Sequence, residues 1–372
     1  MITGVAELPL HDGKCPKWLF DRMVKLCREI VEIIVIEYGK NEFLKRIADP
    51  FWFQALSCVA GYDWNSSGCT TVTTGALKEG IGTEMGIAIL GGKGKASREV
   101  TNEIEKIGGV FNFSDKKIED LKYTSRIVAK VDNAVLQDGF QLYHHSFIVS
   151  EDGGWVVIQQ GMDTETKYAR RYHWISEGLK NLIEEPHAAV VCDIKKTNVL
   201  NMTAKESEEC RNACVDLVND NPLHLKKYLL GRQKLLNEFM NDVEVLRMPM
   251  RHKIIKEDLG EEIIKTLKKV YEIQPKNYEE LIAIKGVGPK TIRALALISD
   301  LIYGAKASWK DCVIKYSFAH GGKDGYPYKI NKKQYDKSIE VLEDAIKMAN
   351  IGKREKLDAI KRLNSFLIND IN

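Results

Sequence analysis

Apolar residues over the first fifty positions recur at three- and four-residue intervals: Trp18, Leu19, Met23, Leu26, Ile30, Ile33 and Ile34. Such spacing lies on one helical face, so 16–48 is predicted to be helical, with Pro16 near its start and Gly39 breaking it in two. A stretch rich in Gly, Ser and Thr at 61–75, after an apolar helix, reads as a loop. The apolar run Ile87–Leu90 reads as a strand entering a glycine-rich turn, with a helix beginning near Ser97. Helical spacing returns at 114–136, where Ser114 is the expected N-cap and Ile118, Leu121, Ile127, Val128, Val131 and Val135 form the stripe.

After Asp138-Gly139 the pattern changes. Phe140–Val149 and Trp155–Ile158 flank Glu151-Asp152-Gly153-Gly154, the signal of a β-hairpin, and Ala188–Val191 predicts a further strand. Thr203-Ala204-Lys205-Glu206 has the spacing of a capping box and opens a helix to about Val218. Beyond it only helical segments follow, at 222–243, 258–272, 277–284, 289–303, 331–349 and 352–368. The expected fold class is therefore α+β: a mixed N-terminal domain over 1–200 with a β-hairpin sheet, then an all-α domain over 201–372. Met248–Lys253 marks the linker into the basic part of the latter.

A chain of 372 residues with 44% hydrophobic and 29% charged residues is long enough for two domains and is neither disordered nor fibrous. Its net charge of +3 hides an asymmetry: residues 251–372 carry 24 Lys and Arg against 17 Asp and Glu, which leaves 31 against 35 over 1–250. A basic end fits a phosphate-bearing partner, and it equally fits a solvated Lys-rich surface. Met1–Gly13 lacks the basic and apolar regions of a secretory signal, and the apolar stretch Ile33–Ile36 is closed off by Glu32 and Glu37. A cytoplasmic protein without membrane contact is expected. Eight cysteines without a CxxC pair make neither a disulfide framework nor a zinc ribbon, and Cys210 and Cys214, one helical turn apart, find no third ligand nearby.

The most specific segment runs from Tyr278 to Leu295. A short helix ends at Ile284, Gly286 and Gly288 allow a tight turn, and Pro289 suits the first position of the next helix. This Gly-Val-Gly-Pro-Lys-Thr hairpin, at 277–303, resembles the helix-hairpin-helix DNA-binding motif. The resemblance implies a backbone phosphate on the free N–H groups of 286–291, which makes Lys285, Gly286, Val287, Gly288, Lys290, Thr291 and Arg293 the candidate DNA-contacting set. It extends to the helix-hairpin-helix DNA glycosylases, in which a Schiff-base lysine follows the second glycine and an aspartate lies some twenty residues on. Lys290 and Asp311 occupy those places. The apolar-Pro-Val-Asp loop and the four-cysteine cluster of those enzymes are absent.

The chain as a whole resembles a family of archaea and some thermophilic bacteria catalogued only as a domain of unknown function. The resemblance rests on Leu8-Pro9-Leu10-His11, Asp63-Trp64-Asn65-Ser66-Ser67-Gly68, Gln137-Asp138-Gly139, Tyr143-His144-His145, Gln159-Gln160-Gly161-Met162, Ala169 to Trp174, and Ser317 to Gly325. It brings no established catalytic residues, so the chemistry is argued from the side chains.

Residues 137–174 are rich in polar groups: Gln137, Asp138, Gln141, His144, His145, Gln159, Gln160, Arg170, Arg171 and His173. Neighbours on a strand point to opposite faces, so one face can gather Asp138, one histidine, one glutamine and an arginine. Such a set can hold Mg²⁺ or Mn²⁺, or position water against a phosphodiester; it also suits a hydrogen-bonded solvent face. Asp138 and His144 are the candidate metal ligands, and Asp63, His145 and Gln160 complete the candidate catalytic list. Gly91–Ser97 follows the order of a P-loop, but Ala96 stands where Ser or Thr is required, and no nucleotide cofactor is expected. Lys93, Lys95 and Arg98 make that turn basic. Ser317–Gly325, with His320, Lys323 and Asp324, reads either as a lining of the site or as a surface loop.

These features point first to a DNA-processing or DNA-repair enzyme, a metal-dependent nuclease gripping backbone through the hairpin. The alternatives are a glycosylase/AP lyase using Lys290 with Asp311, and a DNA-binding protein without catalysis.

Overall fold

The computed structural model describes residues 15–62, 67–192, 195–220, 261–312, 340, 343–349 and 352–369. Asp63, the helix expected at 222–243, the linker at 248–253, most of 331–349 and the loop 317–325 lie outside them.

The first apolar stripe folds as α1 (Lys17–Tyr38) and α2 (Lys40–Ala48), separated at Gly39, whose φ of +84° suits glycine and ends the first helix. α3 (Pro50–Ala60) follows directly. Asp49 caps it by accepting from Phe51 N at 2.8 Å and Trp52 N at 3.2 Å, and Pro50 takes the first helical position. From Gly68 onward the stretch read as a loop is a helix, α4 (Gly68–Gly80). Its Thr70, Thr73 and Thr74 are buried, and Thr73 donates to Ser57 Oγ at 2.9 Å, so partners on other elements offset the weak helix propensity.

Next come β1 (Ile87–Lys93), α5 (Val100–Val110), α6 (Asp115–Lys130), β2 (Leu136–Gln137), β3 (Gln141–Ser150), β4 (Trp155–Met162), β5 (Ala169–Ile175), β6 (Ala189–Val191) and β7 (Thr197–Asn201). A 3₁₀ turn, Gly94–Arg98, separates β1 from α5, and Ser114 caps α6 through Lys117 N. The helical stretch expected to 136 closes in a π-helical turn, Val131–Val135. The hairpin is β3 and β4, as expected. It belongs to an antiparallel sheet of order β1-β3-β4-β5-β6, in which β5 was not anticipated because its Arg170, Arg171 and His173 read as polar surface.

Both faces of this sheet are covered. Ile87, Ile89, Ile148, Val156 and Ile158 pack with α1 to α4, whereas Ala88, Leu90, Phe147, Val157 and Trp174 pack with residues of α5, α6 and the C-terminal helices. Double burial explains strands that read as apolar runs rather than as alternation.

The remaining elements are α7 (Glu208–Asn219), α8 (Glu261–Ile273), α9 (Tyr278–Ala283), α10 (Pro289–Tyr303), β8 (Ser308–Lys310) and α11 (Lys353–Asn369). The capping box at Thr203 does not form. Thr203 donates from N and Oγ1 to Asn201 Oδ1, at 3.1 and 2.6 Å, and a 3₁₀ turn, Lys205–Ser207, leads into α7 instead. The helical half also contributes a strand: β8 pairs with β7 in a three-stranded sheet of order β2-β7-β8. A single core cluster holds Val128, Leu200 and Val218 together with Leu281, Ile292 and Leu295, so the expected boundary at 200/201 is not a break in the core. Lys130 Nζ ties the halves by donating to the carbonyls of Ile282 and Ile284, the latter at 2.8 Å. Among the described residues no helix is long and apolar enough to cross a membrane.

Candidate functional site

The hairpin at 277–303 is built by local chemistry. Asn277 caps α9 by accepting from Glu280 N at 2.8 Å, and Gly286 adopts a φ of +104°, which turns the chain. Gly288 then serves as N-cap of α10 with Pro289 behind it. Val287 and Thr291 are buried and anchor the turn, while Lys285, Gly286 and Lys290 are exposed. The backbone at Gly288 has room for a side chain, since a Cβ there meets nothing within 4 Å.

Beside the start of α10 lies a cleft of about 600 Å³, bordered by β2, the 138–142 turn, β7, Trp309 and the helix residues Pro289 and Arg293. One interaction relay crosses its rim. Gln137 Nε2 donates to Ala134 O at 2.9 Å and to Pro289 O at 2.8 Å, which fixes the amide, and its Oε1 accepts from Arg293 Nε at 3.0 Å. The two terminal nitrogens of Arg293 have no hydrogen-bond partner among the described residues.

Asp138 lines the same cleft from below, but its carboxylate is enclosed. It accepts from Arg170 Nη1 at 2.9 Å, Tyr172 OH at 2.6 Å and Phe140 N at 3.0 Å. Arg170 is also held by Asp311, Nη1 to Oδ1 at 2.7 Å and Nη2 to Oδ2 at 2.8 Å, and Asp311 Oδ2 takes Lys196 N at 2.7 Å. All three charged side chains are buried. Burial pushes the Asp138 carboxyl above its ordinary range, against the pull of Arg170. Burial works against the Arg170 charge too, yet Asp138 and Asp311 hold its pKa well above the usual value. The guanidinium lies 4.5 Å from the Phe140 ring centroid. At the edge of this knot Lys196 Nζ pairs with Asp163, whose carboxyl falls to about 2: burial raises it, but the bonds from Lys196 and Thr166 outweigh burial.

Further along that face His145 sits between Ser125 Oγ, 2.9 Å from Nε2, and Gln159 Oε1, 2.7 Å from Nδ1. Gln159 donates to Asp132, a buried carboxylate supplied by the π-helical turn, which also accepts from Trp174 Nε1 at 2.9 Å and contacts His187. Sequence reasoning missed Asp132; a lone acid within an apolar helical stripe was the signal that could have found it. On the opposite face His144 Nε2 meets Thr74 Oγ1 at 3.1 Å, Gln160 bonds Thr70, Tyr143 and Ser67 O, and Arg171 Nε donates to His173 Nε2 at 2.8 Å. His144 Nδ1 has no partner among the described residues. Burial, then the proximity of His145 and Lys93, pulls the His144 pKa down to about 3.

The structure thus separates the expected set. Asp138 lies with Arg170 and on the same side of the sheet as His145 and Gln159; His144 and Gln160 occupy the other side. Asp138 and His144 are not brought together as metal ligands, because adjacent strand positions face opposite ways. Asp311 is not presented to Lys290 either: both of its oxygens are bonded inside the protein, whereas Lys290 is exposed. Of the candidate DNA-contacting residues, Lys285, Gly286, Gly288 and Lys290 lie at the surface of one turn, Val287 and Thr291 are buried beneath it, and Arg293 lies at the rim of the cleft. Among the described residues no cluster of three His, Cys, Asp or Glu side chains is arranged for a metal ion.

No curated protein and no solved structure matches the chain. A family model described as "Protein of unknown function (DUF763)" matches residues 4–330, a span that includes the sheet, both polar faces, the hairpin and the cleft, and the chain belongs to that family.

Proposed function

We propose that this is a DNA-processing protein that holds the sugar-phosphate backbone on the α9–α10 hairpin. The observation that carries the reading is the turn from Lys285 to Lys290, in which Lys285, Gly286, Pro289 and Lys290 are exposed over a buried Val287; it opens the fifteen-residue helix α10 with two lysines that have no ion-pair partner among the described residues, beside its unpaired N–H groups. Contacts of this kind position a strand without reading its sequence. Catalysis by Asp138 with His144, or by Lys290 with Asp311, finds no support in their placement; a nuclease activity would draw on Asp63, outside the described residues.

The test is affinity for labelled single-stranded, duplex and abasic DNA, with Mg²⁺, Mn²⁺ or EDTA present. Gly288→Glu fits sterically and puts a carboxylate where the phosphate would sit. It should weaken binding at least about tenfold on every sequence and lower the slope of log K against log salt by about one phosphate contact. Unchanged affinity and slope would remove the hairpin from the interface. Cutting abolished by EDTA would add nuclease activity, and EDTA-resistant cutting confined to abasic sites would add lyase activity.

A further inference from the structure

We infer that the cleft beside α10 takes one unpaired nucleotide of the strand held by the hairpin, with its phosphate on the fork of Arg293. This rests on the DNA-binding reading above and adds a substrate class to it: DNA with an unstacked or single-stranded nucleotide.

The argument begins with Arg293. An arginine at a protein surface ordinarily samples many rotamers, and fixing it costs entropy when a ligand binds. Here that cost is largely met in the folded protein. Gln137 cannot turn, because its amide nitrogen is bonded to Ala134 O and Pro289 O, and so its oxygen holds Arg293 Nε at 3.0 Å. Nε is the one guanidinium nitrogen not needed for a bidentate contact from the end of the fork. Nη1 and Nη2 remain available, and a planar pair of N–H donors matches two phosphate oxygens. Gln137 is in these terms a positioning residue, acting through Arg293.

Location and size select the ligand. Pro289 and Arg293 belong to the first turns of α10, so a strand whose phosphate rests on the 286–291 backbone reaches the cleft within a nucleotide or so. The volume of about 600 Å³ lies in the range of small-ligand pockets and accommodates one nucleotide rather than a duplex. Its walls supply what a base and sugar need: Asn133, Gln141 and Asn198 for edges and hydroxyls, and the half-buried Trp309 as an aromatic surface. Repulsion from the single carboxylate of the floor is small, because the Asp138 side chain is 1% exposed and bonded to Arg170 and Tyr172. A base paired within a duplex is shielded on its edges and stacked on both sides, so the cleft favours a nucleotide already out of the helix.

The test compares wild-type protein with Arg293→Lys, Gln137→Leu, Trp309→Ala and Gly288→Glu on two labelled probes at one salt concentration. One probe is a short duplex, and the other is the same duplex carrying a single unpaired thymidine. Wild type should prefer the unpaired probe. Arg293→Lys keeps the charge but loses the fork, and should lower affinity for that probe about tenfold, several-fold more than for the paired one. Gln137→Leu should cause a smaller loss with the same probe dependence, and should add little on top of Arg293→Lys, as expected of a residue acting through another. Trp309→Ala should narrow the preference between probes. Thermal melting of each variant separates loss of fold from loss of contact. If Gly288→Glu weakens both probes while Arg293→Lys, Gln137→Leu and Trp309→Ala affect them equally or not at all, the cleft assignment fails and the hairpin reading stands. If wild type binds neither probe, the hairpin reading fails first.

Discussion

Replacing Arg170 with leucine is expected to destabilise the protein by about 3–5 kcal/mol at pH 7, enough to unfold a large fraction of a marginally stable chain. Arg170 is the single guanidinium between Asp138 and Asp311, all three side chains being at most 1% exposed. Its removal strands two carboxylates in a low-dielectric interior, and their mutual repulsion adds to the desolvation each has already suffered. The deficit relative to wild type should shrink as pH falls towards 4. Buried carboxyls without a cation have raised folded-state pKa values, so their contribution is present below the unfolded pKa and is lost as pH rises through the folded one. Restoring neutrality with Asp138→Asn and Asp311→Asn beside Arg170→Leu should recover a good part of the loss. Urea unfolding at several pH values checks this; a deficit below about 1 kcal/mol at pH 7 would show that Arg170 does not hold the knot together. The knot matters beyond stability, because it joins β5 to the segment after β8 and fixes the floor of the cleft.

Acid should be the second strong perturbation. His144, His145 and His173 are buried, and each is held below its ordinary pKa chiefly by that burial. For His173 the geometry gives an independent reason: its Nε2 lone pair accepts from Arg171, and a proton there would break that bond and set two cations side by side. A depressed folded-state pKa means that the stabilisation is complete above the unfolded value of 6.5 and is lost as pH falls towards the folded value, about 3 for His144. Across that window His144 alone should cost about 1.4 kcal/mol per pH unit, with His145 and His173 acting in the same direction. His144→Gln keeps a partner for Thr74 and should flatten the slope by one proton's worth between pH 6 and pH 4. An unchanged slope would mean that His144 takes up its proton without unfolding.

These two expectations rest on features that were unequally legible in the sequence. Periodicity and local caps placed α1, α2, the first hairpin strand and α10 nearly to the residue, because Gly39, Asp138-Gly139, Gly153-Gly154 and Pro289 act on their own neighbours; β4 starts where expected but runs four residues further, through Gln159-Gln160-Gly161-Met162. α4 and β5 were hidden for the same physical reason. Their threonines, arginines and histidine are polar residues spent inside the protein, and what makes burial tolerable is a partner on another element: Thr70 for Gln160, Asp311 for Arg170, Thr74 for His144. The alternation rule separated His144 from His145 correctly, but the face on which Asp138 lies could be learned only from its bonds to Arg170 and Tyr172.

The sequence by itself determined the α+β class, the kinship to the family and the turn with its lysines, since each is written in contiguous residues. Tertiary structure alone decided that the polar residues of these strands lie buried in hydrogen-bonded rows on two faces of the sheet. It also decided that Asp311 belongs to Arg170 instead of Lys290, and that Gln137 aims Arg293 into a cleft. The last two depend on pairs 141 and 156 residues apart and the rows on partners on other elements, such as Thr74 for His144, 70 residues away; a hydrogen bond between such residues leaves no periodic trace along the chain.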